Sequence, residues 1–341
     1  MNEKSLRFSI VMCCYNLGNL VNESINSVLN QDYTNYELLV VNVGSSDNTL
    51  ENLTKLSEKD NRIVLINNEK NIGLSASRNK AISLAKGEYI VHLDGDDTFY
   101  SKNTLSKIDK TLGNTKPDIC YFGVQYIGGS NKTYIPNAQN SSREARIICD
   151  MHFAVASKVW KREFIINKGL NFIEGMYYED MVYSIKGAIL ADSLSYGSFP
   201  IYNYYRNREG SIMATPNIKR CTDMYKMLYY LMDLYAQTPE NLKPYLLSFI
   251  ENETMSLPTR IEAVLKSMKD NSYSPALPKR NYTYLGDVLS NKDIEIEEDT
   301  YGKVIPIAFE KESTINNKLN FSHDINKVAA NDIVPPVSIQ N

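Results

Sequence analysis

Ile90-Val91-His92-Leu93-Asp94-Gly95-Asp96-Asp97 is an apolar run that stops at three carboxylates packed into four positions. Like charges this close repel, and burial strips each of hydration. A cation at the end of a strand removes both costs. Carboxylates suit a hard, oxygen-loving ion such as Mg²⁺ or Mn²⁺, and such an ion usually keeps part of its shell for substrate phosphates. Taken alone, the cluster also reads as a solvated acidic turn after a strand. The sequence around it separates the two readings.

Upstream, Phe8-Ser9-Ile10-Val11-Met12-Cys13 reads as a buried strand, and Leu20, Val21, Ile25, Val28 and Leu29 recur at helical spacing. Tyr36 to Val41 is a second strand, closed by Gly44-Ser45-Ser46-Asp47-Asn48, with a short helix carrying Leu50, Leu53 and Leu56. Arg62 to Ile66 is a third strand. Ser75 or Ser77 is read as the cap of a helix carrying Ala81, Ile82, Leu84 and Ala85, stopped by Gly87. Tyr89 to Leu93 is the fourth strand. Leu105, Ile108 and Leu112 mark another helix, and Ile119 to Val124 another strand. This alternation predicts an α/β fold: a Rossmann-like, mostly parallel sheet with helices on both faces. In such sheets ligands bind beyond the carboxyl ends of the strands. Tyr15-Asn16, Asn42 to Asn48, Asn67 to Arg78 and Asp94 to Asp97 all follow strands. They are therefore expected on one edge, which favours a site over four unrelated turns.

The pattern changes after Tyr126. Gly128-Gly129-Ser130-Asn131 reads as a hairpin turn, Ser157 to Ile166 and Met181 to Leu190 as helices, and Pro200 to Tyr205 as an aromatic strand. Asn217 to Lys269 is mainly helical, with breaks read near Pro239 and Pro244 and at Pro258. The last stretch is polar, with an acidic run from Asp293 to Asp299, a single strand at Val304 to Phe309 and a loose tail near Pro335-Pro336. The expected division is residues 1–215 as a donor-binding and catalytic domain and 216–341 as a mainly helical region with a polar tail.

The chain has 341 residues, of which 43% are hydrophobic and 23% charged, an ordinary balance for a soluble globular protein. A formal net charge of −3 gives no electrostatic case for a nucleic-acid partner. The five cysteines are odd in number, include the adjacent pair Cys13-Cys14 and form no C-x-x-C, which argues against a disulfide framework or a zinc site. Cys13 and Cys14 are expected as small buried hydrophobes. The polar N-terminus runs straight into a strand-like segment, so no signal peptide is read, and the longest apolar runs are too short to cross a bilayer. A cytoplasmic protein is expected, with peripheral docking on a membrane left open.

In order and spacing, Ser9-Ile10-Val11-Met12 with Tyr15-Asn16, Val40 to Thr49, Asn71-Ile72-Gly73-Leu74-Ser75-Ala76-Ser77-Arg78-Asn79 and Gly87 to Asp97 resemble the inverting family 2 glycosyltransferases of GT-A fold. The close likeness covers residues 6–125. A looser one runs to Met213 through Tyr178-Glu179-Asp180 and Tyr204-Tyr205-Arg206-Asn207-Arg208-Glu209-Gly210. The resemblance implies that Asp94, Asp96 and Asp97 match the D-x-D region that holds Mn²⁺ or Mg²⁺ on the donor diphosphate. It implies that Asp180 is the general base for an acceptor hydroxyl. Tyr15, Asn16, Asn42, Asp47, Arg78, Asp96, Arg206 and Arg208 then serve the nucleotide-sugar donor, the arginines through guanidinium–phosphate geometry.

Each assignment has a plain structural rival. Asp180 alone reads as the cap of the helix starting near Met181. Arg78 alone reads as a surface helix residue, and Arg206 and Arg208 as partners of surface acids such as Glu209. The tyrosines crowded between Tyr177 and Tyr235 read as packing as readily as sugar-stacking faces. His92, alternating with apolar neighbours on a strand, reads as structural. One departure is informative: the second strand of the family usually ends in two acidic residues, and here Asn42-Val43 stand there. The second acid commonly accepts a hydrogen bond from the base, and Val43 cannot.

The resemblance implies a metal-dependent inverting glycosyltransferase using a nucleotide-sugar, UDP-linked by preference, in surface polysaccharide or glycoconjugate synthesis. Its acceptor would be a glycan, a lipid-linked glycan or a protein. The alternative is a non-catalytic sugar-nucleotide-binding subunit of a transferase complex, motivated by Asn42-Val43. A nucleotidyltransferase is disfavoured because Cys14-Tyr15-Asn16-Leu17-Gly18-Asn19 lacks a basic glycine-rich loop. A P-loop kinase is disfavoured because no G-x-x-x-x-G-K-[ST] is present.

Overall fold

The computed structural model describes residues 6–128, 131–136, 153–206 and 217–269. The chain divides into two units, Met1–Ser290 and Asn291–Asn341. The second unit lies outside the described residues, as do Cys149, Arg208, the acidic run, the strand read at Val304 to Phe309 and the Pro335-Pro336 tail.

The strands are β1 (Phe8–Cys14), β2 (Tyr36–Asn42), β3 (Ile63–Asn67), β4 (Tyr89–His92), β5 (Thr98–Phe99), β6 (Ile119–Ile127), β7 (Lys132–Tyr134), β8 (Lys158–Lys161) and β9 (Leu194–Tyr205). The helices are α1 (Leu20–Leu29), α2 (Thr49–Ser57), α3 (Leu74–Leu84), α4 (Thr104–Leu112), α5 (Arg162–Asn167), α6 (Glu179–Leu190), α7 (Ile218–Gln237) and α8 (Lys243–Lys269). Among the described residues the strands form one sheet in the order β3-β2-β1-β4-β8-β6-β9-β5, with β7 on β6. β1 to β4 are mutually parallel, and β8 is inserted antiparallel between β4 and β6.

Every residue of β1 and β2 is buried because both sheet faces are covered. Successive side chains point to opposite faces. Phe8, Ile10, Met12 and Cys14 pack with α1, α2 and α4 residues such as Ile25, Leu53 and Ile108. Val11 and Cys13 join the other cluster, with Ala81 of α3, Met181 of α6, Met224 of α7 and Phe249 of α8. The helices after residue 216 therefore share a hydrophobic core with the parallel strands. Gly87 is fixed by a close crossing, since a Cβ there would lie 2.3 Å from the Ser9 amide nitrogen. Its own N–H donates to Ser9 Oγ at 2.7 Å.

Three readings change. The helix read at Ser157 to Ile166 is a 3₁₀ turn (Val155–Ser157), strand β8 and the short α5. Lys158, Val159 and Trp160 are all buried in the sheet, and pairing with both β4 and β6 overrides local helical spacing. α3 starts at Leu74 behind Gly73, whose φ is +84°, so Ser75 and Ser77 lie inside it and are buried. Pro258 lies within α8 and does not end it, and Pro244 falls in its first turn, where a missing N–H costs nothing.

Candidate active site

Because β1 to β4 run parallel, the segments after them meet on one edge, as the sequence pattern requires. They are tied to one another by hydrogen bonds. Val43 N donates to Cys14 O at 2.9 Å and Gly95 N to Cys13 O at 3.3 Å. Asn16, held at φ +50°, accepts from Ser46 N at 2.8 Å through Oδ1, while its own N–H donates to Ser45 Oγ at 3.1 Å. Thr49 Oγ1 accepts from Leu17 N and Gly18 N, both at 2.8 Å. Gly44, at φ +75°, lies where a Cβ would stand 2.3 Å from the Lys70 carbonyl carbon, so the loops after β2 and β3 touch through backbone.

Asp94-Gly95-Asp96-Asp97 turns back on itself, Asp97 N donating to Asp94 O at 3.0 Å. Its carboxylates go separate ways. Asp97 is buried and accepts from Tyr205 N at 3.0 Å, anchoring the end of β9. Asp94 is partly exposed and accepts from Arg78 Nη2 at 2.8 Å. Asp96 is partly buried. Among the described residues no three His, Cys, Asp or Glu side chains converge to hold a metal by themselves. Asp94 and Asp96, both partly exposed on one turn, offer the one or two carboxylates through which Mg²⁺-type ions are commonly bound alongside substrate phosphates.

Arg78 is not a surface residue. It is buried on α3, and its second nitrogen donates to Glu179 Oε1 at 2.9 Å. The guanidinium also lies 5.3 Å from the centre of the Phe172 ring. Burial opposes its charge, but the carboxylates of Asp94 and Glu179 outweigh that and push its pKa up. Burial pushes the Glu179 carboxyl upward, Arg78 pulls it down, and the neighbouring Asp180 pushes it up again, for a net rise. Arg78 thus joins the acidic loop of β4 to the start of α6.

Glu179 and Asp180 are the first two residues of α6, where negative charge suits the helix dipole. The residue before them, Tyr178, has φ +66° and ψ +22°. For a bulky residue this conformation costs about 1–3 kcal/mol and persists only where its surroundings impose it. Tyr178 holds the N-cap position and Asp180 lies inside the helix, so Asp180 is not its N-cap residue. Asp180 also lies near Lys158, which is fully buried at the start of β8 and donates to Ala154 O at 3.0 Å. Burial depresses the Lys158 pKa to about 7, with Asp180 pulling the other way. His92, buried edge-on to Phe172, is held neutral by burial and by Arg78.

A model of glycosyl transferase family 2 matches residues 9–170. Residues 9–170 belong to that family. The chain is 28% identical over 226 residues to glycosyltransferase GlyG of Streptococcus pneumoniae, covering 61% of this chain and 73% of that protein. An uncharacterized glycosyltransferase of Haemophilus influenzae is 40% identical over 89 residues, 26% of this chain and 28% of its own length. The Escherichia coli UDP-Glc:alpha-D-GlcNAc-diphosphoundecaprenol beta-1,3-glucosyltransferase WfgD is 41% identical over 106 residues, 31% of this chain and 41% of that protein. The chain thus spans well under two thirds of the latter two.

Among solved structures, Staphylococcus aureus TarS 1-349 in complex with UDP-GlcNAc superposes with a TM-score of 0.63 at 21% identity, covering 77% of this chain and 78% of that one. The mannosyltransferase PcManGT of Pyrobaculum calidifontis, in complex with GDP-Man and Mn²⁺, gives 0.52 at 18% identity, covering 84% and 81%. The fold around the family 2 module is GT-A.

The remaining residues expected at the donor are placed as follows. Tyr15 is exposed on the loop after β1. Asn42 is buried, donating to Asn67 Oδ1 at 2.8 Å and accepting from Ser45 N at 3.1 Å, so its amide already serves the loops. Asp47 accepts from Thr49 N at 3.0 Å. Burial works against its charge, yet hydrogen bonds from Thr49 and Gly18 hold the carboxyl below the usual range. Val43 is buried and offers no acceptor. Arg206 follows β9 with its guanidinium 4.0 Å from the centre of the Tyr126 ring, which lies edge-on to Tyr204; burial, and then the charges of Asp97, Asp94 and Asp96, push the Tyr204 phenol up.

Sequence reasoning gave Glu179, Lys158 and Tyr204 no role. The available signal was a lysine inside the apolar stretch Val155 to Trp160 and an acid immediately before the expected base. No helix among the described residues is long and apolar enough to cross a membrane.

Proposed function

We propose that the protein is a metal-dependent inverting glycosyltransferase that moves a sugar from a nucleoside diphosphate, UDP by preference, to an acceptor hydroxyl. The observation that carries this reading is the bridge from Asp94 through Arg78 to Glu179, which brings the acidic loop and the Glu179-Asp180 pair to one edge of the sheet. Residues 1–215 act as the donor-binding and catalytic part, and the helices after them support it.

Asp96 and Asp94 are assigned to Mn²⁺ or Mg²⁺, and Asp97 holds the loop to the end of β9. When bound, such an ion neutralises charge on the departing diphosphate. Tyr15, Asn16, Asn42 and Asp47 shape the nucleotide side, and Arg206 with Arg208 supplies positive charge beside the phosphates. Asp180 takes the proton of the acceptor hydroxyl as its oxygen attacks the anomeric carbon. The bond from that carbon to the diphosphate breaks with its electron pair leaving on the nucleotide, and configuration inverts. WfgD, whose name gives a UDP-Glc donor and a lipid-diphosphate-linked sugar acceptor, supports a role in surface polysaccharide synthesis.

The test is thermal unfolding of the full chain against UDP, GDP, ADP and CDP, each with and without Mn²⁺. The expected result is a rise in Tm that is largest for UDP and needs the metal. Equal shifts for all four would remove the UDP assignment, and no metal dependence with any nucleotide would remove the carboxylate assignment.

A further inference from the structure

The turn before Glu179-Asp180 is held from helix α7, beyond the residues that match family 2. Asp223 lies fully buried on the face of α7 that also carries Met224, Met227 and Leu231. Its Oδ2 accepts from Tyr177 N at 2.9 Å. A buried carboxylate requires compensation, and Lys219 and Lys226 flank it, the latter 3.2 Å from Oδ1. Lys219 also donates to Gly175 O at 2.7 Å and lies 5.1 Å from the Tyr177 ring centre. Gly175, at φ +73°, begins the turn that ends at the left-handed Tyr178. On the other side of that residue, the guanidinium of Arg260 in α8 lies 5.7 Å from the Tyr178 ring centre, itself buried and paired with buried Glu253.

A solvated acid on an exposed helix face would explain none of this. The carboxylate is spent on a backbone N–H of a strained turn, and both cations that neutralise it come from its own helix. Strained backbone near a site survives only where neighbouring groups impose it.

We propose that Asp223 is a positioning residue for Asp180, gripping the Gly175–Tyr178 turn so that the Asp180 carboxylate is aimed at the acceptor hydroxyl. The inference rests on Asp180 being the base. Misplacing a reacting group by about 1 Å costs on the order of 100-fold in rate. Loss of the grip therefore acts on turnover and leaves donor binding, which sits on the β1 to β4 loops.

The experiment compares full-length wild type, Asp223→Ala, Asp223→Asn and Lys219→Met. Two readouts are taken: UDP or GDP release from UDP-GlcNAc, UDP-Glc and GDP-Man with Mn²⁺, and amide hydrogen exchange over residues 175–182. Asp223→Ala is expected to lower kcat by about 10- to 100-fold with KM within about threefold, and to speed exchange in 175–182 while β1 to β4 stay protected. Asp223→Asn keeps an accepting oxygen and is expected to recover most of both. Lys219→Met, on a partly exposed side chain, is expected to give the same pattern more weakly, and it carries the test if Asp223→Ala does not fold.

Wild-type exchange over 175–182 in both disruptive variants overturns the grip. A loosened turn with undiminished kcat overturns its link to Asp180, and an Asn variant as impaired as the Ala variant overturns the acceptor argument. A wild type that releases no nucleotide from any donor removes the catalytic reading instead, and the exchange comparison still decides whether Asp223 holds the turn.

Discussion

The two sides of the site are built differently. On the proposed donor side, residues 8–97, the loops follow parallel strands at short intervals and bond mainly to one another, as in Asn16 with Ser46 or Asn42 with Asn67. On the Asp180 side the turn is strained, and its partners come from far away. Arg78 and Glu179 are 101 residues apart in sequence, and Tyr177 and Asp223 are 46 apart. The donor side is set by topology, because parallel strands deliver their ends to one edge. The other side is set by individual buried charges. The first side is therefore held by many short bonds between neighbouring loops, whereas the second depends on a few buried charged side chains.

The largest expected effect comes from the residue that joins the two. Arg78→Met leaves Glu179 buried without its cation and frees Asp94, which is partly exposed and can rehydrate. Removing one member of a buried ion pair costs about 3 kcal/mol or more. Urea unfolding should show that loss together with loss of donor turnover. An unchanged midpoint would mean that the two sides are held together by something other than this bridge.

A smaller effect is expected at Lys158, and its sign depends on pH. The buried amine gives up its proton near pH 7, against an ordinary value of 10.5 for the unfolded chain. Between these values the unfolded chain binds more protons, so this group's contribution makes folding stability rise with pH. Lys158→Met lacks that contribution. Any advantage of the variant over wild type should therefore be greatest at or below pH 7 and shrink toward pH 10, by urea unfolding at each pH. A difference that is flat or grows across that range would show that Lys158 stays charged, paired with its surroundings.

The same contrast explains what the sequence made legible. The strand–helix alternation from Phe8 to Ile127 depends on periodicity and turn residues, which are local. The edge carrying Tyr15, Asn16, Asp47 and Asp94 to Asp97 followed from it. β8 is not legible locally, because Val159 and Trp160 are placed by pairing with two strands distant in sequence. Taken alone, Arg78 reads as a surface helix residue, because its partners, Asp94 and Glu179, lie on other elements. Asp223 left one trace, an acid on the apolar stripe that carries Met224 and Met227, and its purpose becomes visible only with the Tyr177 backbone beside it. Arg208 lies outside the described residues, so its placement remains a reading of sequence.

In the proposed mechanism the β1 to β4 edge binds the donor while Asp180, delivered from the other side, performs the proton transfer. The most direct measurement is Asp180→Asn in the full chain. Nucleotide release from the preferred donor, with water as acceptor, is followed beside the Mn²⁺-dependent rise in Tm with the same nucleotide. The expected result is a fall in kcat of about 10²- to 10⁴-fold with the Tm rise intact. Undiminished turnover would contradict Asp180 as the base, and loss of both signals would contradict the separation of the two sides.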